Sequence, residues 1–144
     1  MKFKNLLVSV VFILLVRHVA WGQQFHSPEK AALQRQVKTL ETTWNEKGVS
    51  LFNALIFADS GMSCVWGNTI CYSEPVSGNF LKRHYPRKPE LKLVIESIGI
   101  IDNTATVVVY WDEYRNGKMK NRKVMSLLYE KKMNRWSLIR LHCS

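Results

Sequence analysis

From Leu91 to Cys143 apolar and polar residues alternate with a period of two, a pattern that leaves few folds open. It breaks at Asp102-Asn103 and at Asn116-Gly117, the second being the strongest two-residue hairpin signal in the chain. The breaks predict strands over Leu91–Ile101, Thr104–Tyr114, Met119–Lys131 and Trp136–Cys143, an antiparallel meander. Ahead of it the period is helical. Ser27-Pro28-Glu29 supplies a capping hydroxyl, a proline at the first helical position and an acid at the positive end of the dipole. Leu33, Val37, Leu40 and Trp44 then form one apolar stripe, which Gly48 stops. Leu51, Phe52, Leu55 and Ile56 predict a second, shorter helix running to Asp59-Ser60-Gly61, and at most a short helix falls around Gly78 to His84. Helices followed by a meander predict an α+β fold with the helices on one face of the sheet.

Residues 1–22 read as a secretory signal peptide, which leaves 23–144 as a single domain. Lys2 and Lys4 precede an apolar run from Leu6 to Val16, and Ala20-Trp21-Gly22 offers small residues for cleavage. The run is too short to cross a bilayer of roughly 30 Å. The expected location is therefore extracellular. Only 7 glycines and 4 prolines among 144 residues, with 47% hydrophobic, fit one globular domain rather than a disordered or collagen-like chain. Export permits disulfides. Cys64 and Cys71 flank a segment whose Gly67-Asn68 forms a two-residue turn, so they stand opposite each other and are expected to be bonded. Cys143 is left over as a buried thiol or an intermolecular link. The three cysteines with His26, His84 and His142 lack metal-ligand spacing, and neither a metal nor a cofactor is expected.

The closing Trp136-Ser137-Leu138-Ile139-Arg140-Leu141-His142-Cys143-Ser144, with Ala105 to Tyr114 before it, resembles the nuclear transport factor 2-like superfamily. It is similar to the calcium/calmodulin-dependent kinase association domain and to small SnoaL-like and ketosteroid-isomerase-like domains. The resemblance implies a strongly curved, cone-like, cystatin-like antiparallel sheet with the helices on its concave face. It also implies a pocket on that face and a homodimer through the other. Taking Cys143 as inward, as the association domain places a pocket residue, brings Leu141 and Ile139 inward with it. By the same alignment Val108, Tyr110, Asp112, Met125, Leu127 and Tyr129 point inward too. A hairpin pivoting on Asn116-Gly117 agrees, since it pairs Val108 with Met125 and Asp112 with Asn121. With Leu40 and Trp44 from the helix, these residues form the expected ligand pocket.

The association domain carries arginines where this chain has Tyr110, Leu127 and Cys143, so the expected ligand is small and apolar rather than anionic. Asp112 and Tyr110 are the candidates for proton transfer of the ketosteroid-isomerase kind, which needs a carboxyl whose pKa burial has raised. Against this stands a solvated Asp112 near its turn, and the reading leans to a non-catalytic binding module. His142 is expected on the face opposite Cys143, in a structural role. Val107, Val109, Trp111, Leu128 and Leu138, with Val94, Ile98 and Trp136, fall on the outer face, to be covered by a second copy or by the loop 62–90. A formal charge of +10, with clusters Lys82, Arg83, Arg87, Lys88 and Lys118, Lys120, Arg122, Lys123, suits an anionic glycan or membrane surface. Nucleic acid is excluded as a partner for an exported chain. A cystatin-like protease inhibitor is a further reading, although the Gln-X-Val-X-Gly loop of such inhibitors is missing.

Overall fold

The computed structural model describes residues 27–56, 63–72 and 81–144. The expected signal segment 1–22 and the helix end at Asp59-Ser60-Gly61 lie outside the described residues. The chain divides into two units, Met1–Ala32 and Leu33–Ser144. In the first, residues 27–32 open helix α1 (Pro28–Thr42), and the Ala31 amide donates to the Ser27 carbonyl at 3.1 Å. The contacts that follow lie within the second unit.

Helix α1 buries Leu33, Val37 and Leu40, then widens over Thr43–Lys47 into a π turn that carries the fully buried Trp44. Gly48 ends it at φ 86°, a backbone conformation that favours glycine, and its amide donates to the Thr43 carbonyl at 3.0 Å. Helix α2 (Val49–Ile56) buries Phe52 and Ile56. The strands are β1 (Ser63–Trp66), β2 (Thr69–Tyr72), β3 (Glu90–Ile101), β4 (Thr104–Arg115), β5 (Lys118–Lys132) and β6 (Arg135–Cys143). The four long strands lie within two residues of their sequence-predicted bounds. A single helical turn spans 81–84.

The sheet order is β2-β1-β6-β5-β4-β3. All neighbours are antiparallel except β1 and β6, which run parallel with Cys64 beside Leu141 and Trp66 beside Cys143. The sheet is thus mixed and open, with β2 and β3 as its margins. This corrects the expected strongly curved, cone-like antiparallel sheet. Hairpins fix the direction of β3 to β6, whereas no hairpin joins β1 to β6, so β1 can lie parallel to it.

A second correction concerns register, and three single-residue irregularities cause it. Tyr114 pairs with Met119 and Arg115 with Lys118, as a turn with Asn116 at φ 51° and Gly117 at φ 70° requires. The next pair is Glu113 with Asn121, so Lys120 is an extra residue, a β-bulge. Beyond it Met125 stands opposite Val109 rather than Val108, and Asp112 opposite Arg122 rather than Asn121. A one-residue slip exchanges the faces of a strand. Val107, Val109 and Trp111, expected on a dimer face, are fully buried on the helix side with Met125, Leu127 and Tyr129. Val108, Tyr110 and Asp112, expected inward, lie on the other face. A shift between Leu128 and Tyr129 skips Ile139, expected inward, and moves Leu138 and Trp136 to the helix side, away from the expected outer face. A third shift, at Glu96, adjusts β3.

The centre of the helix side is aromatic. Trp111 meets Trp44, Trp66 and Phe52 edge-on, with ring centroids 5.0, 5.2 and 5.7 Å away. Helix α1 also caps the start of β3. The Asn45 side chain donates to the Leu91 carbonyl at 2.7 Å and accepts from the Leu91 amide at 2.8 Å, as a neighbouring strand would. The Leu93 amide donates to Glu41 at 2.7 Å, and the Trp44 indole donates to the Pro89 carbonyl at 2.9 Å.

The expected Cys64–Cys71 disulfide is also corrected. The two residues are direct partners across the β1–β2 hairpin, as the turn implied, yet Cys64 and Cys143 are both thiols, and both are buried. A direct pairing sets the Cα separation, while the bond also needs a dihedral near ±90° about the sulfurs; register is necessary and not sufficient.

Candidate functional site

Helix α1, helix α2 and the β5–β6 hairpin line a pocket of about 260 Å³ that opens to solvent past Leu55. Leu40, Leu55, Trp136 and Leu138 supply its apolar lining, and Gln36, Thr39, Ser137 and Tyr129 its polar groups. Gln36, Thr39 and Leu40 share one helix face by their spacing of three and four residues. The bulge at Ile139 brings Leu138 and Tyr129 opposite each other on the inner side. The Gln36 amide donates to the Trp136 carbonyl at 2.7 Å, tying helix to hairpin, and the Thr39 hydroxyl donates to the Arg35 carbonyl at 2.9 Å. Tyr129 is 1% exposed, and its hydroxyl has no hydrogen-bond partner among the described residues. Burial pushes its phenol pKa upward, so it stays protonated at neutral pH.

Of the residues predicted for a pocket, Leu40 and Tyr129 line this one. Trp44, Met125, Leu127, Leu141 and Cys143 are buried in the core on the same side of the sheet without lining it. Gln36, Thr39, Leu55 and Ser137 escaped the sequence reading, and Trp136 lines the pocket rather than the outer face on which strand parity put it. The helical spacing of Gln36 and Thr39 about Leu40 was the available signal for the first two.

Asp112 and Tyr110, the candidates for proton transfer, form a different kind of site. Both Asp112 carboxylate oxygens accept from Arg122, at 2.6 and 2.7 Å, and the guanidinium lies 4.8 Å above the Tyr110 ring. The hydrogen bonds from Arg122 hold the Asp112 pKa below its ordinary value, overcoming the burial that would raise it. A general acid needs the opposite displacement. We expect a carbon-detected NMR titration to place the Asp112 carboxyl below 3.8, and Arg122→Gln to move it upward. An Asp112 carboxyl still protonated at neutral pH would restore the catalytic candidate.

A second polar cluster sits beside the aromatic centre. Tyr85 donates to Glu113 at 2.7 Å, the Trp111 indole to the same oxygen at 3.1 Å, and Lys123 to both Glu113 and the Tyr85 hydroxyl, at 2.8 and 2.6 Å. The Lys123 ammonium also lies 5.0 Å from the Tyr85 ring centre and 5.6 Å from that of Trp66. The groups satisfy one another, which marks a structural network rather than a reactive one. Burial pushes the neighbouring Cys143 thiol up to about 12, so it is not a thiolate nucleophile at neutral pH. His142 is exposed on the face opposite Cys143. Among the described residues no three His, Cys, Asp or Glu side chains gather as a metal ion would need. Arg115, before the second basic cluster, donates to the carbonyl of Arg87 in the first at 3.3 Å.

No family model matches the sequence, and no curated protein matches it. Solved structures do. An NTF-2-like protein of unknown function from Shewanella oneidensis is 23% identical with a TM-score of 0.68, the match covering 81% of this chain and 98% of that one. The fold is NTF2-like. The association domain of C. elegans CaMKII matches at 21% identity and a TM-score of 0.57, covering 81% of this chain and 95% of that one. A Nostoc punctiforme domain of unknown function with a cystatin-like fold matches at 10% identity and a TM-score of 0.66, covering 83% and 78%. The NTF2-like fold agrees with the resemblance read from the closing strands, and at these identities the likeness extends to the fold alone.

Proposed function

We propose that this chain is a non-catalytic, exported, homodimeric binding module whose pocket holds a small apolar molecule. The chemistry of the pocket wall carries the reading. Its one ionisable group is the Tyr129 phenol, which burial keeps neutral, so the wall offers no acid–base pair. Its four large apolar side chains favour apolar guests. Native mass spectrometry of the protein from its own source tests this. A small neutral molecule should accompany the wild type and be absent from Leu40→Trp, which fills the space. A wild type that carries nothing and takes up no apolar probe would overturn the reading.

The homodimer is proposed through the sheet face turned away from the helices. Val94 and Val124 are 36% and 42% exposed there, each a cross-strand neighbour of Tyr110, with Val108 and Leu128 half-buried nearby. An apolar patch on neighbouring strands suits an isologous contact with a second copy. One of the similar structures is named an association domain, which accords with self-assembly. We expect Val124→Asp to convert a dimer into a monomer by light scattering, with an unchanged circular dichroism spectrum. A wild type that is monomeric at all concentrations would remove this part of the proposal.

A further inference from the structure

We infer that the pocket selects neutral molecules bearing one oxygen acceptor, of about ten non-hydrogen atoms, and that the Tyr129 hydroxyl is the group that recognises the oxygen. The inference rests on the pocket reading above and adds the chemistry of the guest.

The size follows from scale. A dry apolar cavity of about 150 Å³ accepts benzene, so 260 Å³ suits one ring with a short substituent. The polarity follows from a buried hydroxyl left unmatched. Buried tyrosines ordinarily find a partner for their O–H, because an unmade hydrogen bond away from water is costly. Tyr129 is 1% exposed, lines the pocket, and has no such partner among the described residues. No hydrogen bond joins the Tyr129 hydroxyl to Gln36, Thr39 or Ser137, the other polar side chains of the lining. The Gln36 amide nitrogen donates instead to the Trp136 carbonyl, and the Thr39 hydroxyl to the Arg35 carbonyl. A guest that places a carbonyl or ether oxygen against Tyr129 completes the bond, whereas a hydrocarbon of the same shape leaves it open.

Charge is selected against. No lining side chain is cationic, so a carboxylate would lose its hydration with nothing on the wall to replace it. The Lys131 ammonium lies 5.8 Å from the ring centre of Trp136 and is not part of the lining.

The test titrates the full chain with three probes of equal heavy-atom count, acetophenone, cumene and benzoate, and follows backbone amide shifts at Leu40, Trp136 and Leu138. Acetophenone should bind about tenfold more tightly than cumene, and benzoate more weakly than either. Tyr129→Phe keeps the ring and its packing, and it should abolish the preference by weakening acetophenone alone. If cumene and acetophenone bind equally and the variant changes neither, the pocket reading stands and the assignment to Tyr129 is overturned. Tightest binding by benzoate would also overturn it, in favour of an anion site at Lys131. If no probe shifts the pocket amides, both the assignment and the pocket reading fall.

Discussion

Trp111→Ala is expected to destabilise the protein by about 3–5 kcal/mol, while Tyr110→Ala, one residue away, costs far less. Trp111 is fully buried and meets Trp44, Trp66 and Phe52, whereas the Tyr110 ring is half-buried beneath the Arg122 guanidinium on the opposite face. Set against a typical total stability of about 5–15 kcal/mol, the tryptophan loss is large enough to leave a substantial unfolded population. Urea unfolding followed by circular dichroism measures both variants. The pair doubles as a test of register, because the uninterrupted hairpin predicts the reverse order. A larger loss for Tyr110→Ala than for Trp111→Ala would mean that the bulge at Lys120 is not formed.

Glu113→Ala has the second largest expected effect, about 3 kcal/mol, because one carboxylate serves the Lys123 ammonium, the Tyr85 hydroxyl and the Trp111 indole together. Removing it leaves three donors in a largely buried place. Burial alone would raise the Glu113 pKa, but the hydrogen bonds from Lys123 and Tyr85 outweigh it and hold the carboxyl below 4.5. A carboxylate lowered in this way stabilises the fold above its unfolded pKa, and the contribution disappears as pH falls through the folded value. Wild-type stability should therefore be level near neutrality and decline below about pH 4.5. Asp112, also lowered, contributes to the same decline. Glu113→Gln should make the decline shallower, as read from urea midpoints at several pH values. An unchanged slope would show that this carboxyl titrates alike in the folded and unfolded chains.

The elements themselves were legible, because each is written in a local pattern. The stripe of Leu33, Val37, Leu40 and Trp44 marks α1, and Asn116-Gly117 marks the hairpin that both glycine and asparagine can turn. The faces of the strands were legible only as far as the first bulge. Lys118 to Lys123 reads Lys-Met-Lys-Asn-Arg-Lys, which has no apolar alternation to reveal an extra residue. The slip at Lys120 was therefore silent, and it reversed the assignments of Val107 to Asp112. Ile139 was silent for a different reason: in Trp-Ser-Leu-Ile-Arg-Leu, two adjacent apolar residues fit either parity. The parallel placement of β1 could not be read locally, since it depends on which margin of β6 is free. The pocket was legible only at Leu40 and Tyr129 for the same reason. The spacing of Gln36 and Thr39 about Leu40 was a signal left unused, while Leu138 comes to face Tyr129 only through the bulge.

The contacts of Asn45 and Glu41 with Leu91 and Leu93 bear on how the molecule behaves in a crowd. An extended peptide seeking to lengthen the sheet at the start of β3 would find those amides and that carbonyl already engaged. Runaway fibril growth from that end requires the helix to lift first, which also strips the Trp44 indole from Pro89. Resistance to templated polymerisation is in this way coupled to the integrity of the hydrophobic centre, and any change that loosens α1 unlocks both together.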